Sequence, residues 1–134
     1  MIQTGTKLKM SDNSGAKLAK CIKVVGLGVK QFGYIGDLIL VTIKKYSSQN
    51  KVKKKLIYFG LIIMVNQYVY RNDGSIIKFN NNRILLFSKN ETSNKFLGSR
   101  IYGFLMKEVK SKVYKNKKEK QKYFKAISYA KSII

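Results

Sequence analysis

The sequence predicts a mainly β fold, in which a small closed β-barrel is followed by helices. Short runs of alternating apolar residues fill the first two thirds of the chain, as expected for half-buried strands. Clusters of Gly, Asn, Asp and Ser separate these runs, and the spacing of apolar residues becomes helical beyond Ser99. We predict closure into a barrel because an open sheet of five or six short strands would leave two exposed edges.

The first three strands are indicated by alternation and by turn residues. Residues 6–10 alternate, the turn cluster 11–15 follows, and the alternating pattern resumes over 16–25. Glycines recur at short intervals in the following segment, which is expected to be a loop that ends at Gly36. The nearly continuous β-branched run 38–43 predicts a third strand that is buried on both faces or nearly so.

The middle of the chain predicts a hairpin and one more strand. Residues 56–69 are expected to form a strand, 70–75 a turn, 76–79 the returning strand, and 84–87 the last strand. An Asp-Gly pair inside the turn can adopt the positive φ angles that such turns require. The apolar run 56–65 is ten residues long, which is well short of the roughly 20 that span a bilayer.

Two short helices are predicted in the last third of the chain. Apolar residues recur at helical spacing from Leu105 to Val113 and again from Tyr123 to Ala130. Lysines dominate the sequence between and around these two runs. We expect a β-barrel domain that binds nucleic acid over residues 1–100, and a basic helical extension over 101–134 that packs on the same domain.

The charge of the chain is its most restrictive property. Lys and Arg number 28 against six acids, so the net charge is +22. A protein with so much uncompensated charge adsorbs to polyanions, and nucleic acid is the expected partner. The compact lysine cluster at 51–55 is a candidate phosphate contact, although solvated surface is the common alternative for such clusters. Exposed aromatic rings could stack on bases, with core packing as the alternative for each: Phe32, Tyr34, Tyr46, Tyr102 and Tyr114.

Groups that could perform catalysis are scarce. The chain has no His and one Cys, Cys21, which lies in an apolar stretch and is expected to be a buried core residue. Of the six acids, Asp12 and Asp73 lie in turn sequences, where their side chains bond to their own backbone. We therefore expect no catalytic residues, no metal site and no cofactor.

Residue usage indicates the genome that encodes the chain. Lys, Ile, Asn, Tyr and Phe are abundant, whereas Pro, Trp and His are absent. The abundant residues have A- and T-rich codons, so we expect an AT-rich genome. The mitochondrial matrix is the expected location of an organelle-encoded protein of this kind, with a plastid or the cytoplasm of an AT-rich bacterium as alternatives.

Ordered motifs along residues 1–110 resemble one family. The opening residues 1–6, the turn 12–16 and the segment Gly60-Leu61-Ile62-Ile63 followed by Asp73-Gly74 are similar to signature regions of the universal large-subunit ribosomal protein fourteen family. The segment Gly98-Ser99-Arg100-Ile101-Tyr102-Gly103 is similar to its Gly-Thr-Arg element. Two departures are Phe104, where the family has Pro, and a lysine-rich insertion at 113–121 that we expect to lengthen the first helix and to add contacts with RNA or protein.

The resemblance implies a closed five-stranded β-barrel with a C-terminal loop and two short helices. It also implies binding to large-subunit ribosomal RNA (rRNA), bridges to small-subunit rRNA, and neighbours from ribosomal protein families three and nineteen. A face that forms the bridge and could receive the ribosome silencing factor is expected at Lys95, Gly98, Ser99, Arg100 and Tyr102. Together with the charge pattern, the resemblance predicts these RNA-binding residues: Lys7, Lys9, Lys23, Lys30, Lys51, Lys53, Lys54, Lys55, Arg71, Lys78, Arg83, Lys115, Lys117 and Lys118.

Two other functions are compatible with the composition. A free RNA-binding or RNA-chaperone barrel outside the ribosome would associate reversibly with many RNAs in a strongly salt-dependent manner. A cationic membrane-surface protein would need a helix with a clean apolar face, which residues 104–125 supply poorly. The leading expectation is a structural ribosomal protein that binds no membrane and performs no reaction.

Overall fold

A computed structural model describes residues 1–26, 32–47, 52–89, 95–115 and 120–134, without the side chains of 113–115. Seven strands and two helices occur in this part of the chain. The strands are β1 (Lys7–Met10), β2 (Ala16–Val25), β3 (Leu38–Tyr46), β4 (Ile57–Met64), β5 (Val69–Tyr70), β6 (Ile76–Ile77) and β7 (Arg83–Phe87). The helices are α1 (Glu108–Lys115) and α2 (Lys120–Tyr129).

Five of the strands form a closed barrel in the order β1-β2-β3-β4-β7. Neighbouring strands are antiparallel, except that β1 and β7 close the barrel in parallel, with Lys9 opposite Arg83. The side chains that point into the barrel are almost wholly apolar. In β4 and β7, successive residues are buried on both faces of the strand. The predicted fold class, a closed five-stranded barrel with two short helices, is confirmed.

The predicted strand over 56–69 is wrong in its extent. β4 ends at Met64, and a separate two-stranded ribbon of β5 and β6 follows. The backbone N–H of Asn66 donates to Asn82 Oδ1 at 2.7 Å instead of to a neighbouring strand. The apolar pattern continues through Val65, which is buried, and the polar pair Asn66-Gln67 that follows it is the signal of this break.

The C-terminal residues contact the barrel through several specific bonds. Tyr123, fully buried on α2, donates from its hydroxyl to the backbone oxygen of Gly36 at 2.7 Å. The Lys122 Nζ lies 3.6 Å from the centre of the Phe59 ring on β4, a favourable cation–π contact. These contacts fix α2 against the outer surface of β4 and of the turn before β3.

Candidate nucleic-acid interface

The main basic surface of the described residues is a groove across four neighbouring strands. Cross-strand register places Arg83 beside Lys9, Lys9 beside Leu18, and Leu18 beside Lys45. Because adjacent strands lie about 4.8 Å apart, this row brings three cations from distant parts of the sequence close together. We call this surface the cationic groove and define it by Lys9, Lys17, Lys44, Lys45, Lys54 and Arg83.

The groove consists of two open cavities that share Lys17 and Lys45. One has a volume of about 410 Å³ and is also lined by Lys9 and Arg83. The other has a volume of about 580 Å³ and is also lined by Lys44, Tyr46 and Lys54. No carboxylate of the described residues forms an ion pair with any of the six cations. The groove is therefore a concentrated positive charge that no described carboxylate neutralises and that an external anion would neutralise.

Asp12 lines the cavity that contains Lys9 and Arg83, and it is the one acid among the described lining residues. Its carboxylate is buried and accepts hydrogen bonds from Ser14 Oγ at 2.5 Å and from the backbone N–H of Leu86 at 2.8 Å. Burial raises the pKa of Asp12 above its ordinary value, although these hydrogen bonds act in the opposite direction. Asp12 thus joins the turn after β1 to β7, and its oxygens are already occupied.

The 98–102 segment is attached to the turn that follows β1. Asn13 Oδ1 accepts hydrogen bonds from the backbone N–H groups of Ser99 and Arg100 at 2.7 and 3.0 Å, and Asn13 Nδ2 donates to Ser99 Oγ at 2.8 Å. The backbone N–H of Tyr102 donates to the Ser11 oxygen at 2.6 Å. A Cβ on Gly98 would lie 2.9 Å from Asp12 Cβ, so only glycine allows this close approach.

This attachment leaves polar and aromatic side chains of the segment exposed. Ser99, Arg100 and Tyr102 are exposed, Gly98 is buried beneath them, and Lys95 is exposed at the start of the same segment. The backbone N–H of Ser88, the residue after β7, donates to the Lys95 oxygen at 2.9 Å. This bond holds the start of the segment against the end of β7. The five residues expected to form the bridge face therefore lie in one segment, 95–102, which is bonded to the end of β7 and to the turn after β1.

The residues expected to bind RNA are spread over several surfaces. Three lie in strands with exposed side chains, namely Lys7, Lys9 and Lys23, and Lys78 is exposed on the ribbon with its Nζ 4.7 Å from the Tyr68 ring centre. Lys53, Lys54 and Lys55 are exposed in the turn before β4. The remaining expected residues, or their side chains, lie outside the described part of the chain: Lys30, Lys51, Lys115, Lys117 and Lys118. The insertion at 113–121 falls largely there too.

Arg71 has a structural partner that the sequence did not reveal. Its guanidinium donates to both carboxylate oxygens of Glu108 on α1, at 2.7 and 3.1 Å, and to the Ile134 oxygen at 2.8 Å. Burial alone would raise the pKa of Glu108, but the hydrogen bond from Arg71 brings it below its ordinary value. Arg71 thus ties the β5–β6 ribbon to α1 and to the C-terminal residue Ile134.

Sequence reasoning missed three groove residues, Lys17, Lys44 and Lys45. The sequence held a signal for them, since Lys17 is a polar residue within the apolar pattern of β2 and Lys44-Lys45 extend β3 beyond its apolar run. Among the expected aromatic candidates, Tyr34, Tyr46 and Tyr102 are exposed and Phe32 is half-buried. The side chain of Tyr114 is not among those described.

The buried and titratable groups offer no catalytic arrangement. Cys21 is buried, and burial raises its pKa to about 11, so the thiol stays protonated at neutral pH. The described residues contain no group of three His, Cys, Asp or Glu side chains that could hold a metal ion. None of the helices in the described ranges has the length and apolarity needed to cross a membrane.

Comparisons with known proteins agree over the full chain. A family model described as Ribosomal protein L14p/L23e matches residues 1–134. The large ribosomal subunit protein uL14 of Carsonella ruddii (strain PV) is 37% identical over 134 residues, which is 100% of both chains. The chain belongs to the ribosomal protein L14p/L23e family and is therefore a structural protein of the large ribosomal subunit and not an enzyme.

Proposed function

We propose that this protein binds large-subunit rRNA through the cationic groove and the lysines around it. The observation that carries the proposal is the row Arg83, Lys9 and Lys45, because three unpaired cations side by side repel one another until phosphates neutralise them. The apolar core keeps the strands, and hence this spacing, rigid. Phosphate neutralisation of this kind allows RNA helices to pack close together on the protein.

The proposed RNA-contact set extends beyond the groove. It includes Lys7 and Lys23 on the outer barrel surface, the lysine turn 53–55, and Lys78 on the ribbon, all of which are exposed. We leave Arg71 out of this set because its guanidinium is held by Glu108 and the Ile134 oxygen. Residues that lie outside the described ranges keep their expected role on charge alone: Lys30, Lys51, Lys115, Lys117 and Lys118.

The 98–102 segment is proposed to form a bridge with small-subunit rRNA. Support comes from the exposure of Arg100 and Tyr102 above a backbone that Asn13 holds in one position. A pre-ordered contact loses less conformational entropy on binding than a flexible loop does. The same face is proposed to receive the ribosome silencing factor, so that the factor and the small subunit would compete for Arg100.

Neighbours and location are proposed on family grounds and composition. Ribosomal proteins of families three and nineteen are the proposed protein neighbours, residues 1–100 the rRNA-binding domain, and 101–134 the extension packed on it. The AT-rich codon signature supports a mitochondrial ribosome. The bacterial relative gives weight to the alternative, the ribosome of a bacterium with an AT-rich genome.

Sedimentation tests the ribosomal assignment. In a sucrose gradient at moderately high salt, the protein should migrate with the large subunit in stoichiometric amounts with other ribosomal proteins, and fractionation of organelles beforehand identifies the compartment. Recovery only at the top of the gradient would contradict the proposal and favour a free RNA-binding barrel.

Salt dependence tests the groove itself. Each phosphate contact adds about 0.7 to 0.9 to the slope of log affinity against log salt. Replacing Lys9, Lys45 and Arg83 together with Gln should therefore reduce the slope by about two to three. The control replaces Lys107 and Lys110, which are exposed at the start of α1, with Gln. This control should reduce the salt slope less than the groove variant does. An unchanged slope in the groove variant would show that these cations are merely solvated.

Subunit joining tests the bridge. Arg100→Ala should weaken association of the two ribosomal subunits more than it weakens incorporation of the protein into the large subunit. Equal losses in the two measurements would mean that Arg100 contributes to assembly and not to a bridge.

A further inference from the structure

Tyr46 carries an exposed aromatic ring, and its backbone is held to β2 and to the residue before β2. It is the last residue of β3 and pairs with Ala16 of β2. The next residue, Ser47, donates its backbone N–H to the Gly15 oxygen at 3.0 Å. The side chain is nevertheless 41% exposed. A large apolar ring is thus presented to the surface from a rigid support instead of being packed in the core.

Lysines surround this ring. The cavity of about 580 Å³ is lined by Tyr46 and by Lys17, Lys44, Lys45 and Lys54, and we call it the Tyr46 pocket. Lys54 Nζ lies 5.4 Å from the centre of the Tyr46 ring, within cation–π range. None of the described residues in this lining carries a carboxylate. The four ammonium groups repel one another, and part of the apolar ring is exposed to water. An anion with an aromatic part would neutralise the charges and cover the ring.

Resting on the proposed rRNA binding, we propose that the Tyr46 pocket holds one unpaired nucleotide. Its base stacks on the Tyr46 ring, and its flanking phosphates contact Lys17, Lys44 and Lys45. The volume lies in the range of small-ligand sites, about 300 to 1,000 Å³. The nucleotide must be unpaired, because a base inside a duplex is covered on both faces by its neighbours.

An RNA nucleotide fits this pocket better than an acidic peptide does. A peptide carboxylate would neutralise a lysine but would leave the Tyr46 ring without a flat partner. A nucleotide supplies both a phosphate and a planar π-system, and the pocket offers both lysines and an aromatic ring in its lining. Base-on-aromatic stacking is also independent of base identity, so the pocket should accept any unpaired base.

The test compares two ligands that carry the same phosphates. One is a short oligouridylate, and the other is an abasic oligomer of equal length. The full chain should bind the oligouridylate more tightly, and Tyr46→Ala should reduce that preference by about fivefold or more, the lower range for one stacked base. Tyr46→Phe keeps the ring and should keep the preference. Tyr34→Ala, which removes another exposed tyrosine, is the matched control and should change the preference less.

The lysines should affect a different quantity. Replacing Lys44 and Lys45 with Gln should lower the salt slope by about 1.4 for single-stranded RNA while the preference for bases is retained. Tyr46→Ala should leave the slope unchanged, since it removes no phosphate contact. These two readouts separate stacking from phosphate binding, and a melting curve for each variant confirms that the barrel is intact.

Two results would overturn the inference. An unchanged preference in Tyr46→Ala, with the slope still lowered by the lysine variant, would refute stacking but leave the proposed rRNA binding in place. An unchanged slope in the lysine variant would count against the groove as a whole. In assembled large subunits, photo-crosslinking should attach a nucleotide to the peptide that contains Tyr46. A crosslink from that peptide to another protein would show that a protein occupies the pocket.

Discussion

Replacing Asn13 with Ala is expected to release the 98–102 segment from the turn after β1. The variant removes three hydrogen bonds, two to backbone N–H groups and one to the Ser99 hydroxyl. Asn13→Asp is the conservative counterpart, because a carboxylate still accepts from both N–H groups. The Ser99 hydroxyl can then rotate and donate to the second carboxylate oxygen.

The magnitude follows from the number and exposure of these bonds. A protein hydrogen bond contributes about 0.5 to 1.5 kcal/mol net, and the lower value applies because Asn13 and Ser99 are exposed. Losing all three should therefore favour the released state by about 1.5 kcal/mol. That energy corresponds to a roughly tenfold increase in the equilibrium constant for local opening. Asn13→Asp should change it by about twofold or less.

Amide hydrogen exchange measures this opening directly. The Ser99 and Arg100 amides should exchange roughly tenfold faster in Asn13→Ala than in the unmodified protein, while amides in β3 keep their rates. Asn72→Ala, in the exposed β5–β6 turn, is the control for loss of a surface amide. Unchanged exchange at Ser99 and Arg100, or an equal increase in the control, would refute the role assigned to Asn13.

Gly36→Ala should destabilise the protein by about 1 to 3 kcal/mol more than Gly74→Ala in denaturant unfolding. Both glycines have positive φ, but a Cβ at Gly36 would lie 2.6 Å from Lys112 Cγ, whereas one at Gly74 would have no neighbour within 4 Å; equal losses would show that the packing of α1 is unimportant. Glu108→Gln should lower the melting temperature at neutral pH, and this difference should shrink as the pH is lowered below the ordinary carboxyl pKa. A depressed carboxyl pKa stabilises the fold above the unfolded value, and that contribution disappears as pH falls through the folded pKa. A difference between the two proteins that is constant over this range would contradict the ion pair with Arg71. Cys21, with its pKa of about 11, should resist alkylation at mildly alkaline pH until the protein is unfolded, and rapid labelling of the folded protein would contradict its burial.

Local patterns predicted the elements of the barrel well. The alternation over 16–25 coincides with β2, because each inward position there is apolar and each outward position tolerates lysine. The hairpin turn was also correct in place, since the Asp-Gly pair precedes β6 and Gly74 has positive φ. The break between β4 and β5 was missed because buried residues continue through Val65, beyond the last strand pairing.

The arrangement of the site could be predicted much less well. Asn13 and Ser99 are 86 residues apart, and Arg71 and Glu108 are 37 apart. No periodicity within a window of the sequence reports such pairings, because they are fixed by how the barrel closes. Charge and the family resemblance predicted that Arg71 binds RNA, but neither indicated that its side chain pairs with Glu108, one of only six acids in the chain. The family resemblance supplied the bridge face, and the register of the strands supplied the groove.

The parallel pairing of β1 with β7 has a consequence for how the protein is made. β1 receives its second neighbour from a strand that is synthesised more than seventy residues later, as the Asp12–Leu86 hydrogen bond across 74 residues illustrates. Until that strand has left the ribosome, β1 and β4 each keep an unpaired edge, and the core between them is open. Folding should therefore be delayed and dominated by non-local contacts. During this interval the nascent chain exposes unpaired strand edges and apolar surface while it carries a large positive charge. Early binding by chaperones or by its own RNA target would protect it from aggregation.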